Sequence, residues 1–193
     1  MTHILSDLKY LEAGLEVLEA YLLADGLYWP VGASAPAGEP DFPSLTLGGL
    51  LLARQRLSAS ALSGDQQTLY QSLSAQLDDV HQRWQVAWER KAQRSFHARV
   101  NQWRNFLVDY GSHPAEHASR YAYEVRLRVM LALLLPTAGA VDAAELELLS
   151  GLDQIVRARL EPGGFIWDAA LAAAFPQPAY WYLYGALQTR LED

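Results

Sequence analysis

Residues 66–110 decide the fold, and they read QQTLYQSLSAQLDDVHQRWQVAWERKAQRSFHARVNQWRNFLVDY. Apolar residues recur along this stretch at steps of three or four, at Tyr70, Leu73, Leu77, Val80, Trp84, Trp88, Ala92, Phe96, Val100, Trp103, Leu107 and Tyr110. The mean step is about 3.64 residues, close to the roughly 3.6 of an α-helix turn, whereas a coiled-coil heptad gives about 3.5. The pattern therefore predicts one very long central helix with a nearly straight apolar stripe.

Capping residues are present at both ends of this stretch. Ser63 and Asp65 are good N-cap residues, and Gly111 stands where a helix often ends on a left-handed glycine. At about 1.5 Å per residue the helix spans roughly 67 Å, which exceeds the diameter of a compact domain of this length. We therefore expect the helix to kink, to project, or to be shared with a second subunit.

The composition is typical of a globular domain. The chain has 193 residues, of which 51% are hydrophobic and 11% aromatic, and this excludes general disorder. There is no cysteine, so disulfides and thiolate metal sites are excluded. We expect a single all-α domain over residues 1–193.

The sequence lacks two signals of export and membrane insertion. No basic segment followed by an apolar run opens the chain, and the most apolar run, Val129 to Leu135, is too short to cross a bilayer. We therefore expect a cytoplasmic protein that does not enter membranes.

The remaining helices follow from shorter periodic segments and their caps. We predict about six helices around the long one, spanning roughly 6–23, 45–61, 121–135, 143–160, 168–174 and 179–191. Gly48 and Gly49 weaken the helix over 45–61 and indicate close approach of a neighbouring backbone. Residues 24–44 form an irregular loop rich in Pro and Gly, which is either a lid or a crossover between helices.

The segment 121–135 fits two structures. Tyr121, Tyr123 and Val125 alternate with polar residues as in a strand. The segment continues without a break into an apolar run, however, and Glu124 and Arg128 have the spacing of a helical ion pair. We predict a helix that returns antiparallel to the long one.

Charge is distributed unevenly along the chain. Net charge is −7, yet residues 80–135 hold nine Lys/Arg against four Asp/Glu. Arg83, Arg90, Arg94 and Arg104 lie opposite the apolar stripe on the long helix. This basic face is either a solvated surface that packs near acidic helices or a weak contact for nucleic acid.

One short motif has the residue order of a metal site. His113-Pro-Ala-Glu116-His117 matches the H-x-x-E-H order of inverzincin metalloproteases, in which two histidines on one helix face hold zinc. Pro114 stands between the two histidines, so His113 is expected at the helix cap rather than on the helix. We expect no metal and no cofactor.

Arg99 is a charged residue in the middle of the apolar stripe. On a helical wheel of about 100° per residue with Trp84 at zero, Arg99 falls near 60° and the stripe centre near 50°. A buried guanidinium needs hydrogen-bonding partners, and Glu116, Glu124 or Asp109 are the expected ones. Arg99 therefore forms either a structural ion pair or a binding site for an anion.

Three functions are consistent with these patterns. The first is a non-enzymatic interaction module, self-associating through the long helix as a homodimeric scaffold or binding a protein partner. The second is a small-molecule-binding protein or enzyme with an aromatic-lined pocket around Arg99, Trp103 and Trp29. The third is nucleic-acid contact through the basic face, and no catalytic signature favours an enzyme.

Overall fold

The computed structural model describes residues 4–190, and over these residues the chain is dominated by α-helix, as predicted. Eight α-helices are present in this range: α1 Ile4–Leu23, α2 Leu47–Ala59, α3 Gly64–Arg83, α4 Gln85–Ser112, α5 Pro114–His117, α6 Tyr121–Glu124, α7 Arg126–Leu134 and α8 Ala143–Arg159. A two-stranded sheet, β1 Leu160–Phe165 and β2 Tyr184–Leu187, completes the regular structure. The buried apolar side chains form one cluster.

The helix predicted for residues 66–110 is present as two helices that meet at Trp84, so it is not one unbroken helix, and an interruption of this kind was one of the three alternatives that its length suggested. This residue has φ −111° and ψ 30°, outside the helical range, and it separates α3 from α4. Backbone hydrogen bonding continues through the break, since Trp84 N donates to Val80 O at 2.9 Å and Trp88 N to Trp84 O at 2.8 Å. The two halves have different main partners: α3 packs mainly on α1, whereas α4 packs mainly on α7 and α8 and contacts α1 and α2 less extensively.

The predicted N-terminal cap of the α3–α4 stretch is present, whereas the predicted C-terminal glycine cap is not. Ser63 caps α3 in a capping box with Gln66, as its position indicated. Gly111, in contrast, is not a left-handed terminator, because α4 continues to Ser112.

The apolar stripe is covered by the chain itself. Ten of its residues are buried, namely Leu73, Leu77, Val80, Trp88, Ala92, Phe96, Val100, Trp103, Leu107 and Tyr110. A second subunit is therefore not needed to cover the stripe.

The segment after α4 returns along it, as predicted, with one interruption at Val125. The Tyr121 ring lies 6.3 Å from the Trp103 ring, whereas Gln93 Nε2 donates to Ala140 O at 2.9 Å. Tyr121 thus lies beside the C-terminal half of α4 and Ala140 beside its N-terminal half, so the segment that follows α4 runs antiparallel to it.

Helix α2 crosses α7 at the close approach that its glycines indicated. A Cβ on Gly48 would lie 3.1 Å from Met130 Cβ. The N-cap of α2 is Thr46, whose hydroxyl accepts from Gly49 N at 3.0 Å, rather than a residue near 44. Helix α1 is described from Ile4, two residues before the predicted start at residue 6, and within it Asp7 pairs with Arg56.

The last predicted helix is wrong over the described residues 179–190. Residues 184–187 form β2, which pairs antiparallel with β1 from Leu160↔Leu187 to Phe165↔Tyr184. Gly185 has φ +152°, and a Cβ there would lie 2.3 Å from Glu161 O, so the pairing requires glycine. The predicted helix over 168–174 is a 3-10 helix, Ala169–Ala174.

The loop over residues 24–44 is irregular, as predicted, and its ends are held together. Trp29 N donates to Leu45 O at 3.1 Å, and Leu45 N donates to Trp29 O at 2.7 Å. This bridge brings Tyr28 and Phe42 to the same side of the molecule, next to α1 and α4. Within residues 4–190, no helix combines the length and the apolarity needed to cross a bilayer.

Candidate ligand-binding cavity

Arg99 is buried on α4, with only 8% of its surface exposed. Its Nη1 donates to Gln102 Oε1 at 2.6 Å and to the Tyr28 hydroxyl at 3.2 Å, and its Nη2 donates to Thr46 Oγ1 at 3.2 Å. All three acceptors are neutral. The carboxylates predicted as its partners are not within ion-pair distance, and in the described part of the chain no other carboxylate is.

One donor of this guanidinium has no acceptor at all among residues 4–190. Arg99 Nε is shielded from solvent and makes no hydrogen bond. A buried cation that lacks a counter-charge carries a desolvation cost that neutral acceptors offset only in part. An oxyanion bound nearby would supply the missing charge.

Arg99 lines a cavity of about 900 Å³, which lies within the range of small-molecule sites. Four parts of the chain form its walls: α1, the loop over 24–44 with the start of α2, α4, and the segment from α6 to α7. Its aromatic walls are Tyr10, Tyr28, Phe42, Phe106 and Tyr123.

The described lining of the cavity includes four arginines and four carboxylates, and three of these arginines are paired. Arg56 makes a two-pronged ion pair with Asp7. Arg120 lies 2.9 Å and Arg126 3.9 Å from Glu124. Arg99 is thus the cation of the cavity that has neutral partners only.

Arg126 is the cavity arginine whose pKa is affected by the charge of Arg99. Its guanidinium lies over the Tyr123 ring at 3.4 Å from the ring centre and donates to Tyr123 O at 2.9 Å. Burial lowers the pKa of Arg126, Tyr123 and Glu124 oppose this effect, and the charge of Arg99 lowers it further. The two cations therefore share one electrostatic environment.

Tyr28 stands at the mouth of the cavity with 54% of its surface exposed. Its hydroxyl accepts from Arg99 and also from Gln102 Nε2 at 2.9 Å. Burial raises the pKa of Tyr28, but these hydrogen bonds and the Arg99 charge outweigh it, and the net pKa is lowered. The phenol oxygen thus occupies a position that favours negative charge.

A second cavity of about 590 Å³ adjoins the first. The two have nine lining residues in common, which include Phe42, Leu52 and Tyr123. The residues found only in the second cavity are mostly apolar and include Ala122, Trp167 and Leu171.

The other two residues expected beside Arg99 lie elsewhere. Trp103 has no exposed surface and packs between Phe106 and Tyr121. Trp29 is half-buried at its backbone bridge to Leu45, and the described lining of the cavity includes neither tryptophan. The aromatic loop residues at the site are instead Tyr28, which directly precedes Trp29 in the sequence, and Phe42.

Two arginines of the predicted basic face bind acidic groups of this chain. Arg83 pairs with Asp79 and lies 2.9 Å from Glu19, and Arg94 lies 3.7 Å from Asp25. Arg90 and Arg104 are exposed. The face is thus partly neutralised from within.

The H-x-x-E-H match at residues 113–117 does not form a metal site in the described part of the chain. His113 ends α4 as its C-cap, His117 ends the four-residue α5, and their ring centres are 6.4 Å apart. Over residues 4–190, no group of three or more His, Asp or Glu side chains is placed to hold a metal ion.

Lys91 is a buried cation that the sequence patterns did not reveal. With 2% of its surface exposed, its Nζ donates to Ala24 O at 2.5 Å and to Gly26 O at 2.8 Å, and it lies 4.4 Å from the centre of the Tyr21 ring. Burial lowers the pKa of Lys91, Arg94 lowers it further, and Asp25 opposes both. Lys91 satisfies carbonyls just beyond the end of α1 and is a structural cation.

Comparison with protein-family models, curated proteins and solved structures finds no match to this chain.

Proposed function

We propose that this protein binds a small organic anion in the cavity at Arg99, with an oxyanion at the guanidinium and an apolar or aromatic body against the tyrosine and phenylalanine walls. Carboxylates, phosphates and sulfonates share the chemistry that such a guanidinium recognises.

The observation that carries this proposal is the set of partners around Arg99. The guanidinium is buried, lines a cavity of about 900 Å³ and has three neutral acceptors. A purely structural arginine in such a position is ordinarily paired with a carboxylate, as Arg56 is with Asp7 in the same cavity. Binding of an anion would compensate the charge that the fold leaves without a counter-ion.

Binding without catalysis is the better supported activity. The described lining of the cavity includes no histidine or lysine, the usual proton-transfer groups near neutral pH. Tyr10 lies in the wall, and burial raises its pKa to about 12, which makes it a poor base. The proposal is therefore limited to binding, and the carboxylates of the lining and Tyr28 are the groups that would have to act in any catalysis.

Self-association, which the length of the apolar stripe predicted, stays a prediction. The long apolar stripe is buried within one chain and no longer requires a partner. Light scattering at micromolar concentration measures the oligomeric state directly, independently of ligand binding.

The test of anion binding compares benzoate with benzamide, which has nearly the same shape and no charge. In an NMR titration of ¹⁵N-labelled protein we expect saturable binding of benzoate and at least tenfold weaker binding of benzamide. Arg99→Met should weaken benzoate binding by about 10- to 100-fold, because a charge-assisted hydrogen bond contributes about 1.5–3 kcal/mol.

The matched control is Arg90→Met, which removes an exposed arginine from the same helix and should leave benzoate binding unchanged. Asn105→Trp provides a second variant, since it obstructs the cavity from an exposed position and keeps Arg99 and its partners. Equal binding of benzoate and benzamide, or full benzoate affinity in both Arg99→Met and Asn105→Trp, would contradict the proposal.

A further inference from the structure

We infer that the ligand is an amphiphilic anion whose charged head lies at Arg99 and whose apolar arm lies in the second cavity. This inference rests on the proposed function and adds the class of molecule that fits.

The first step is the position of the two cavities. They share nine lining residues, so they are neighbouring lobes that meet along a common wall. Phe42, Leu52 and Tyr123 belong to this wall and present apolar surface on the way from one lobe to the other. A ligand seated at Arg99 can therefore extend into the second lobe along hydrophobic side chains.

The second step is the segregation of polarity. The lobe at Arg99 has several polar residues that the other lobe lacks, including Thr46, Gln102 and Asn105. The residues found only in the second lobe are five apolar ones, Ile4, Pro40, Ala122, Trp167 and Leu171, together with Ser60 and the acidic Glu39 and Asp168, which disfavour a second anionic group there. This difference in polarity between the two lobes matches a molecule that is charged at one end only.

The third step is the state of Trp167, the largest side chain of the second lobe. Its indole Nε1 donates to Ala122 O at 2.8 Å, so the only polar atom of this side chain is already engaged. The ring is half-buried and offers apolar surface to the lobe. A hydrocarbon arm satisfies this surface without requiring any further hydrogen bond.

The charged residues of the common wall do not provide a second binding site for the charged head of the ligand. Arg56 is engaged with Asp7, and Arg126 lies over Tyr123 near Glu124. Arg99 consequently sets the position of the head, and the arm is directed away from it.

The experiment is a chain-length series of straight alkanoates from butanoate to decanoate, each below its micelle concentration, titrated by NMR. Affinity should rise by about fourfold for each methylene that leaves water and then level off when the second lobe is filled. Ala122→Trp fills that lobe from an exposed position outside the first cavity and should flatten the series. Ala115→Trp, exposed on α5 and outside both lobes, is the matched control and should retain the rise.

The outcomes distinguish a failure of the amphiphile inference from a failure of the proposed function. A flat series in the wild-type protein, or a rise that persists in Ala122→Trp, overturns the amphiphile inference while benzoate binding at Arg99 still stands. Failure of every carboxylate to bind overturns both. A rise that Ala122→Trp abolishes, together with a uniform loss at all lengths in Arg99→Met, is the result that we expect.

Discussion

Helix α4 has two buried cations, Lys91 and Arg99, and they are used differently. Each lies near a tyrosine ring, Lys91 at 4.4 Å from Tyr21 and Arg99 at 5.7 Å from Tyr28. Lys91 donates to two backbone carbonyls, faces the Tyr21 ring and lies away from the two cavities. Arg99 has neutral side-chain acceptors, one donor without an acceptor, and a cavity beside it.

The difference shows how a structural cation can be told from a candidate binding cation. Burial and a place on an apolar face are common to both residues. What separates them is whether a buried donor atom is left without an acceptor and whether the space next to the group is filled. By these two criteria Lys91 stabilises the fold, and Arg99 is available to a ligand.

The tyrosines beside the two cations show the same contrast. Burial raises the pKa of Tyr21, although hydrogen bonding at its hydroxyl and the charges of Arg99 and Arg94 oppose the shift. The pKa of Tyr28 is lowered, because Arg99 and Gln102 both donate to its oxygen and outweigh burial. Arginine charges thus favour the phenolate at both tyrosines, but burial outweighs them at Tyr21 and not at Tyr28.

The largest expected effect on stability is that of Lys91→Met. This change keeps the side-chain volume but leaves the carbonyls of Ala24 and Gly26 without their donor, at a cost of about 2 kcal/mol. Urea denaturation measures the loss, and benzoate affinity should remain at the wild-type value. A stable Lys91→Met protein that has lost benzoate binding would reverse the assignment of the two cations.

Arg99→Met should change the free energy of unfolding by less, within about 1 kcal/mol in either direction. Replacing a buried charge by an apolar side chain of similar volume is often neutral, and the hydrogen bond between Gln102 and Tyr28 remains. The same denaturation experiment gives this value. A loss as large as that of Lys91→Met would identify Arg99 as a structural cation.

The smallest expected effect is the pH dependence contributed by Tyr28. Its folded pKa lies below the unfolded value of about 10, so the unfolded chain binds more protons between these two values, and stability rises as pH increases through that window. Ultraviolet difference spectra at alkaline pH should show one phenol titrating early in the wild-type protein, and Arg99→Met should move it to higher pH. Tyr28→Phe identifies the group, and an early titration that survives Tyr28→Phe would belong to another tyrosine.

Much of the helical architecture could be predicted from periodicity, because helix spacing is a local property. The stripe from Leu73 to Tyr110 is buried as its spacing indicated. The break at Trp84 has no local signature such as Pro or Gly, and it separates two halves that pack on different helices. The C-terminal sheet was missed because the pairing of Phe165 with Tyr184 is a contact between distant residues.

The candidate site could be predicted only in part. The helical wheel identified Arg99, because a charge in the centre of an apolar stripe is conspicuous. Its partners Tyr28 and Thr46 lie in or next to an irregular loop, whose path no periodicity describes. Lys91 lies about 70° from the centre of the stripe on the same wheel. At that border position a long side chain can be either buried or exposed, and only the tertiary structure decides.

The most direct test of the central claim follows the arginine side chains themselves. In protein labelled with ¹⁵N-arginine, the Nε–H signal of Arg99, assigned through its loss in Arg99→Met, is observed during titration with benzoate. We predict a saturable shift of this signal, with the Arg90 signal unchanged. An Arg99 signal that stays in place while benzoate binds, as judged from backbone signals elsewhere, would contradict the account.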